Sequence, residues 1–543
     1  MKDTPLFKIL VAAPFCRWKD SSFLQQMPVI IRGRQELDEA LDALSPSIFL
    51  RLPSHLPQGA AGREVEAVFR RLKDFRPSSL IENCPVLKEL AEARKFLAES
   101  AHKGLNGSEI RRMFSQRWPD LSISWPSRQT GGHRKGAGSS GDISGAVSAI
   151  LDQVALPESQ DTGGGLSSGD SLLEVSEPMA QVERALTAVL QEIFRDPGFR
   201  RLEEAWRGLA FLLDGWKGCQ EAEFYLVPSD IDGLDEALDH IAAFCLKSMP
   251  HMILYALDFD ASAAHTALLQ RMAALSETVI APAIGGVSPR FFHIDSWDQL
   301  DGLSYLPNYL EAQHYGKFKA LKSDTSARWF GLCCNRLLLR IPYGELNPAR
   351  PVAFSEGLPL WGSPVWAAGA LLGRSVELSG WPANFADWGR VYIEDCPVLE
   401  DEKGRVRPVE ELIRHERLEQ LLKCGLMTVM GGANQDVVFM AGETSLSGDS
   451  LAYAIMIGQV SHFLMDFKDD AASRGIRGRE AGRKLLSSLV EWWERHGTPA
   501  PDEIDVEASD LPEGGGVHIR LKLRPQRSVI ISRPDIVLEL DLT

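Results

Sequence analysis

The sequence lacks the residue patterns that mark metal sites, disulfide frameworks and secretory leaders. Its eight cysteines include no CxxC pair, and its twelve histidines show no HxxxH or HExxH spacing. These absences argue against a zinc site and against a secreted disulfide scaffold, so we expect buried thiols and no cofactor. Residues 1–15 also lack the basic start, long apolar core and cleavage site of a secretory signal.

Long hydrophobic runs and an excess of positive charge are missing as well. The most apolar stretch, Leu451 to Met465, contains Gln459 and His462 and is too short to span a bilayer. We therefore expect a cytoplasmic protein without membrane insertion. The formal net charge of −16 argues against a nucleic-acid partner, because neutralising phosphates requires a basic surface.

The charge is unevenly distributed along the chain. Residues 1–125 hold 19 Lys and Arg against 15 Asp and Glu, which leaves 39 against 59 for the remainder. Oppositely charged parts suit docking on each other or on other copies of the chain. A chance asymmetry between two solvated surfaces explains the numbers equally well.

The length of 543 residues, 44% of them hydrophobic, indicates several domains. A first module is predicted for residues 1–125. Its predicted strands are Phe7–Ala12, Pro28–Ile31 and a stretch within 50–57, and its predicted helices are Glu36–Leu44, Val65–Leu72 and Pro85–Ser100. The strict alternation of Leu121–Trp125 predicts a short half-buried strand with Leu121, Ile123 and Trp125 on one face.

Residues 126–170 read as a Gly- and Ser-rich linker that contains one amphipathic helix, 146–156. Val147, Ile150, Leu151 and Val154 form its apolar stripe at helical spacing. A lone helix between two flexible stretches has no core of its own, so it must dock on another surface.

The remainder is predicted to form a large domain, 171–425, and a C-terminal domain, 426–543. A helix at 178–194 precedes apolar strands at 225–228 and 252–257, with one helix between these strands and another after them, which indicates an alternating α/β arrangement. The stretch 327–344 is a buried strand or a short core helix. Near the end, Val517, Ile519, Leu521 and Leu523 alternate with basic residues, and Ile536, Leu538 and Leu540 with acidic ones, which suits cross-strand pairing.

One stretch invites a catalytic interpretation. An apolar strand ends in Asp258-Phe259-Asp260, which resembles the nucleophile motif of haloacid-dehalogenase-type phosphatases, where the first carboxylate attacks phosphorus and the second acts as acid and base. The alternative is two strand-end carboxylates held by helix N-terminal amides or solvent. The glycine pairs 285–286 and 431–432 lack the spacing of phosphate-binding loops.

Longer motifs carry a more specific resemblance. The segments LEEAWRGL (202–209), ARWFGLCCNRLLLRIPYG (327–344), Phe354 with Glu356, Trp361-Gly362 and Gly380-Trp381 resemble, in this order, the large subunit of the type VI secretion sheath, TssC or VipB. FKILV near the start and RLKDFRPSSLIENCPVLKELAEARKFL, with Asp74, Phe75 and Pro77, resemble the small subunit, TssB or VipA. The TssC-type glycine-rich stretch expected near 382–388 is missing.

The resemblance implies a fusion of both subunits: a small α/β module joined by a flexible linker to a large, multi-domain, mixed α/β sheath subunit with a C-terminal β region. It implies a structural protomer, not an enzyme, that polymerises with itself around the Hcp inner tube, meets a baseplate and is dismantled by the ATPase ClpV. A sheath subunit of another phage-tail-like injection system is the alternative.

The resemblance also assigns sites. The helix with Val147, Ile150, Leu151 and Val154 corresponds to the ClpV docking helix. Strands that tie neighbouring protomers together correspond to Leu6–Val11 with Ile9, to Leu121–Trp125, to Val517–Leu523 with Val517, Ile519 and Leu521, and to Ile536–Leu540 with Ile536 and Leu538.

Overall fold

A computed structural model describes most of the chain. The described residues are 7–16, 28–57, 60–103, 105–125, 168–219, 221–382, 384–401, 404–473, 479–495, 500–511, 516–527, 530 and 535–542. Among them no helix combines the length and apolar character needed to cross a membrane.

The strands of the described chain are numbered in sequence order. They are β1 Phe7–Ala13, β2 Val29–Ile31, β3 Ser47–Arg51, β4 Glu64–Val68, β5 Ala222–Pro228, β6 Met252–Phe259, β7 Ala283–Val287, β8 Phe330–Cys334, β9 Leu337–Arg340, β10 Leu360–Gly362, β11 Leu399–Glu400, β12 Val406–Arg407, β13 Leu426–Gly431, β14 Val438–Ala441, β15 Glu503–Asp510, β16 Val517–Arg524 and β17 Ile536–Leu542.

The helices are numbered in the same way. They are α1 Leu37–Leu44, α2 Pro77–Asn83, α3 Pro85–His102, α4 Gly107–Arg117, α5 Ser168–Arg195, α6 Pro197–Gly215, α7 Leu234–Ser248, α8 Ala263–Thr278, α9 Leu306–Tyr309, α10 Gly316–Lys322, α11 Pro364–Ser379, α12 His415–Lys423, α13 Leu451–Ser473 and α14 Arg479–Arg495.

The chain divides into two compact units that interleave along the sequence. The first unit comprises Met1–Ile48, Glu66–Ser79 and Ile193–Thr543, and the second comprises Phe49–Val65 and Leu80–Glu192. This division differs from the predicted module 1–125, because the first strand and the segment with Asp74 and Phe75 belong to the larger unit. The predicted boundary at 425 also falls inside that unit.

An eight-stranded sheet organises the first unit, with the strand order β14-β13-β8-β7-β6-β1-β5-β2. The six strands from β13 to β5 run parallel, and β14 and β2 are antiparallel edge strands. The predicted alternating α/β architecture is confirmed. Because β13 and β14 belong to this sheet, the predicted domain boundary before residue 426 is wrong.

Strand β1 lies inside this sheet, between β5 and β6. Val11 pairs with Leu226 on one side and with Leu254 on the other. All residues from Ile9 to Ala13 are buried, and a nearly continuous apolar run is typical of a parallel strand covered on both faces. The first strand of the chain therefore completes the sheet built by residues 222–441.

Helices cover both faces of the sheet. On β6, Ile253, Tyr255 and Leu257 belong to one core cluster with α7 and α8. The alternate residue Leu254 points to the other face, where the missing Cβ of Gly369 lets α11 approach it closely. Helix α6 packs on α11, so that the sheet lies between two helical layers.

The central stretch 327–344 forms two strands, β8 and β9, so the choice between strand and helix is settled. They are separated by Asn335, which is fully buried at a φ of 70°. Its amide Nδ2 donates to the carbonyls of Glu411 (2.9 Å) and Val429 (2.7 Å), and its Oδ1 accepts from the Glu411 amide. An asparagine tolerates this left-handed conformation, and its hydrogen bonds secure the turn.

The C-terminal residues form a separate antiparallel sheet, β15-β16-β17, that packs with α13 and α14. The predicted strands β16 and β17 are confirmed, and β15 was not predicted. On the exposed face Arg520 lies 3.9 Å from Glu539 and 3.9 Å from Glu507, as the alternation of basic and acidic residues indicated. This alternation predicted the cross-strand pairing correctly.

The second unit is largely helical. Phe96 of α3 packs against Phe114 of α4 and against Trp118, which follows α4. Arg94 of α3 donates to Glu183 of α5 at 2.6 Å. The predicted helices that begin at residues 85 and 178 are confirmed, because α3 and α5 cover these segments.

One element was predicted as the wrong type. Residues 65–72 were expected to form a helix, but β4 occupies 64–68 and a short 3-10 turn follows at Leu72–Phe75. Val65 and Ala67 are buried between exposed neighbours, which is the two-residue period of a strand. The segment is too short for the helical period to be distinguished from it.

Candidate functional site

The predicted assembly strands differ in whether they have a free edge. Both edges of β1 are occupied within the chain, by β5 and β6. Ile9 is buried in the middle of the sheet. The expectation that Leu6–Val11 pairs with a neighbouring protomer is therefore not met in this fold; Leu6 lies outside the described residues.

Leu121–Trp125 is extended but is not a strand, contrary to the prediction. Leu121 is buried, Ile123 and Trp125 are partly buried, and Ser122 and Ser124 are exposed, so the predicted alternation of faces is present. No other backbone segment among the described residues pairs with it, so it has no ladder that would make it a strand. One edge is held instead by Gln181, whose side chain accepts from the Ser124 amide (2.8 Å) and donates to its carbonyl (3.1 Å).

In the C-terminal sheet the central strand is β16. Val517, Ile519 and Leu521 are buried against α13 and α14, and both backbone edges of β16 are paired within the chain. This contradicts direct pairing of Val517–Leu523 with another protomer. β17, with Ile536 and Leu538, is an outer strand whose second edge has no partner strand in the described part of the chain.

The predicted ATPase-docking helix, with Val147, Ile150, Leu151 and Val154, lies outside the described residues. The structure therefore leaves that prediction open.

The two carboxylates of the phosphatase interpretation do not share one pocket. Asp260 accepts from the Ser262 amide (2.9 Å) at the start of α8, and its Oδ1 lies 2.7 Å from His265 Nδ1. Although partial burial opposes it, hydrogen bonds from Ser262 lower the pKa of Asp260. Asp258 instead borders a crevice on another side, and burial raises the pKa of its carboxyl. Asp260 thus accepts from the amide of Ser262, the N-cap residue of α8, which agrees with the alternative interpretation for this carboxylate.

The family-type motifs converge on a buried cluster of charges in the first unit. Arg340 of β9 lies between Glu203 of α6 and Glu356, and both carboxylates are fully buried. Arg340 donates to Glu203 through Nε (2.8 Å) and Nη2 (3.0 Å), and to Glu356 through Nη1 (2.6 Å) and Nη2 (2.9 Å). One guanidinium therefore bridges Glu203 and Glu356, which are 153 residues apart in the sequence.

Two further arginines complete this ion cluster. Arg207 lies 2.7 Å from Glu203, and Arg200 lies 3.0 Å from Glu356. Although burial alone would raise it, the guanidiniums of Arg340 and Arg207 hold the pKa of Glu203 below its usual value. The cluster is thus ionised and satisfied, and it fixes α6, β9 and the segment with Glu356 to one another.

The first part of the TssB-type motif, up to residue 79, packs into the same unit. Asp74 Oδ2 accepts from the amides of Arg70 (3.0 Å) and Arg71 (2.9 Å), which fixes the turn before Phe75. Phe75 stacks on Phe69 at 4.3 Å between ring centroids and contacts Phe199 of α6 at 5.9 Å. Motifs resembling two different subunits are thus joined in one core.

Sequence reasoning did not predict these contacts. The sequence identifies the glutamates and arginines of the ion cluster only as parts of family motifs, and their spacing does not indicate that they form ion pairs. Charged residues inside apolar motifs, such as Arg340 after three leucines, are the signal that was available, because a buried charge requires a partner.

Comparisons with known proteins agree with these motifs. The VipA family model of the type VI secretion system matches residues 2–118, and the VipB model, EvpB tail sheath N-terminal domain, matches residues 247–447. The type VI secretion system sheath protein TssC1 of Pseudomonas aeruginosa is 25% identical over 313 residues, 52% of this chain and 63% of that protein. The chain thus spans less than two thirds of this relative's length.

Solved structures with some similarity include sheath proteins. The contracted helical sheath of the anti-feeding prophage is 13% identical, with a TM-score of 0.33 and coverage of 61% of this chain and 76% of that chain. The sheath tail protein of Listeria innocua is 10% identical, with a TM-score of 0.34 and coverage of 57% and 60%.

Two family regions thus follow each other in one polypeptide, and Asp74 and Phe75 of the first lie in the same compact unit as the motifs of the second. One chain thus carries a VipA-type region and a VipB-type region, which the type VI secretion family models match in this order.

Proposed function

We propose that the chain is a structural protomer of the contractile sheath of a type VI secretion system, without enzymatic activity. The observation that carries this proposal is the succession of a VipA-type and a VipB-type region whose strands form one sheet. The protomer polymerises into a helical tube around the Hcp inner tube, is anchored at a baseplate and acts in the bacterial cytoplasm. Contraction is the relaxation of a metastable polymer.

Negative-stain electron microscopy of the purified full chain, alone and with the Hcp protein, tests this function. Hollow tubes with a regular helical repeat are expected. Protein that stays monomeric with and without Hcp, or that hydrolyses phosphate monoesters at a rate abolished by Asp258→Asn, contradicts the proposal and supports the phosphatase alternative.

Assembly requires strands with a free edge, and two of the predicted segments have one. We therefore restrict the proposed inter-protomer pairing to Leu121–Trp125 and to the outer edge of β17, and exclude β1 and β16. An extended segment with an alternating apolar face and an unpaired edge suits strand augmentation by another copy.

The contacts of Gln181 show which backbone amide of Leu121–Trp125 a proline substitution must remove to test the pairing with another copy. In an extended segment consecutive amides point to opposite edges, and the Ser124 amide faces Gln181. The amides of Ser122 and Ser124 thus share one edge, and the amide of Ile123 faces the other. Ile123→Pro should block tube assembly without unfolding the protomer, whereas Ser122→Pro, the matched control, should still assemble.

Circular dichroism and electron microscopy of both variants separate folding from assembly. Normal tubes from Ile123→Pro, or an equal defect in Ser122→Pro, would exclude the outer edge of this segment as the pairing site.

The helix 146–156 is proposed as the docking site for a ClpV-type ATPase. An isolated helix of this length is marginal in water, and its apolar stripe suits a groove in a partner. Packing on its own chain is the competing explanation. Ile150→Asp with Leu151→Asp should leave assembly intact and weaken binding to the ATPase N-terminal domain, because two charges enter an apolar groove.

Calorimetric titration of a peptide covering residues 145–159 against that domain measures the interaction. A peptide with Ser148→Asp and Gln153→Asp, which adds the same charge away from the stripe, should bind like the unmodified peptide. No binding by the unmodified peptide, or equal binding by both charged variants, removes the docking role from this helix.

A further inference from the structure

Two buried histidines stack on each other where helix α13 packs against the eight-stranded sheet. His251 immediately precedes β6 and is 7% exposed, and His462 lies in α13 and is 4% exposed. Their ring centroids are 5.5 Å apart, with an angle of 28° between the ring planes. We call these two residues the histidine pair. Because histidine changes its charge close to neutral pH, a buried pair at a packing contact makes that contact sensitive to acid.

The contacts of His462 fix its neutral form. Its Nε2 lies 2.8 Å from the carbonyl oxygen of Val279, which can only accept, so Nε2 carries the ring proton. Its Nδ1 is shielded from solvent and has no hydrogen-bond partner in the described part of the chain. A second proton on this ring would therefore create a buried cation whose new N–H group has no acceptor.

The contacts of His251 also require an unprotonated nitrogen. Its Nδ1 accepts from the backbone amide of Lys8 (3.2 Å), and its own amide donates to the Lys8 carbonyl (2.7 Å). These bonds extend the pairing of β1 with β6 by one residue. Protonation of Nδ1 would remove the acceptor, and two cationic rings at this spacing would repel each other.

Two charged side chains face the histidine pair. Lys8, whose Nζ donates to the Ser248 carbonyl (3.3 Å), lies on the sheet side, and Asp466 lies one helical turn after His462. Burial lowers the pKa of His462, and Lys8 lowers it further, whereas the Val279 carbonyl and Asp466 act in the opposite direction. The neutral form of His462 is thus favoured in the folded chain.

The same face of α13 makes a close backbone contact. Gly458 lies one turn before His462, and a Cβ on it would lie 2.4 Å from the carbonyl oxygen of Ile280. The helix backbone therefore rests directly on the turn 279–282, which connects α8 to β7. Other residues of α13 belong to the core cluster of the C-terminal sheet. Helix α13 thus joins the C-terminal sheet to the eight-stranded sheet, and His462 supplies a polar contact of this junction.

We propose that the histidine pair is an acid-sensitive switch: protonation of either ring weakens the packing of α13, and of the C-terminal sheet that it carries, on the turn 279–282. An unfolded histidine titrates near pH 6.5. Since folded His462 stays neutral to lower pH, the unfolded state binds more protons below about pH 6.5. The stability that this packing confers is therefore present above that pH and is lost as the pH falls. This inference does not depend on the sheath function.

Urea unfolding of the full chain at about pH 5.5 and 7.5 tests the switch. In the variant His462→Gln the amide can still donate to the Val279 carbonyl, but the side chain does not titrate in this range. On lowering the pH, the unfolding equilibrium constant of the original chain should rise up to about tenfold more than that of the variant. His415→Gln, which changes a histidine that is 85% exposed, should behave like the original chain. Equal pH dependence in the original chain and in His462→Gln overturns the proposal.

Amide hydrogen exchange locates the effect, after correction for the pH dependence of chemical exchange. Peptides covering α13 should open more readily at the lower pH in the original chain and in His415→Gln, but not in His462→Gln. Peptides covering α11 serve as the reference within the same unit. If His462→Gln does not fold, the original chain alone decides, because equal opening of α13 at both pH values would overturn the proposal.

Discussion

Replacing Arg340 by methionine should destabilise the first unit more than any exposed arginine replacement. The guanidinium makes four hydrogen bonds to two fully buried carboxylates. After the change Glu203 keeps Arg207 and Glu356 keeps Arg200, so each carboxylate retains one counterion. The loss therefore comes from missing charge-assisted hydrogen bonds and not from an uncompensated net charge.

The expected loss is about 3–5 kcal/mol, because each of the two carboxylates loses charge-assisted hydrogen bonds that contribute about 1.5–3 kcal/mol. Arg340→Lys should lose about half of this, because an ammonium keeps the charge but cannot bridge both carboxylates through paired donors. Arg374→Met is the matched control. Arg374 pairs with Glu377 at the surface and is 40% exposed, so its loss should cost less than about 1 kcal/mol.

Urea unfolding followed by tryptophan fluorescence measures these differences through the midpoint and the m-value. The double variant Arg340→Met with Glu203→Gln should be less destabilised than the sum of the single variants, because both changes remove the same contact. A cost of less than about 1 kcal/mol for Arg340→Met, or simple additivity in the double variant, would refute the assignment of stability to this cluster.

Three further predictions concern the same unit. Val11→Asp places a charge in the sheet interior between Leu226 and Leu254 and should abolish the near-ultraviolet circular dichroism of the folded chain. Gly208→Ala should cost about 1–3 kcal/mol in urea unfolding, because a Cβ there overlaps the Trp366 indole, whereas Gly302→Ala, with open space around its Cα, should be nearly neutral. Burial raises the pKa of Glu204 from 4.5 to about 7, so the folded state binds more protons than the unfolded state between those values and stability falls as pH rises. Glu204→Gln should remove up to about 3 kcal/mol of that decline, measured by urea unfolding at pH 5 and pH 8.

The strongly apolar elements of the fold could be predicted from the sequence. The run from Phe7 to Ala12 predicts a strand, and the apolar stripes in α3 and α5 predict helices, because one pattern extends over each of these segments. For short segments the sequence pattern does not distinguish a strand from a helix. Residues 64–68 alternate over only five positions, and the same letters fit one turn of an amphipathic helix.

Long-range pairing could not be predicted from local patterns. An apolar strand does not specify its neighbours, so the position of β1 between β5 and β6 had no signal in residues 7–13. The same limit applies to β16, whose alternating pattern predicts an assembly strand although β15 and β17 occupy both of its edges. The charged residues of the motifs can be recognised in the sequence. Only the fold shows that Glu203, Arg340 and Glu356 are in contact.

The central place of β1 has a consequence for synthesis of the chain on the ribosome. β1 leaves the ribosome first, yet β6, which covers its second edge, ends only at Phe259. At about 5–20 residues per second, the intervening 246 residues take roughly 12–50 s to make. During that interval an apolar strand with unpaired edges is exposed on the nascent chain. The protein should therefore depend on holding chaperones during translation, and on the prompt completion of residues 222–259 for its yield.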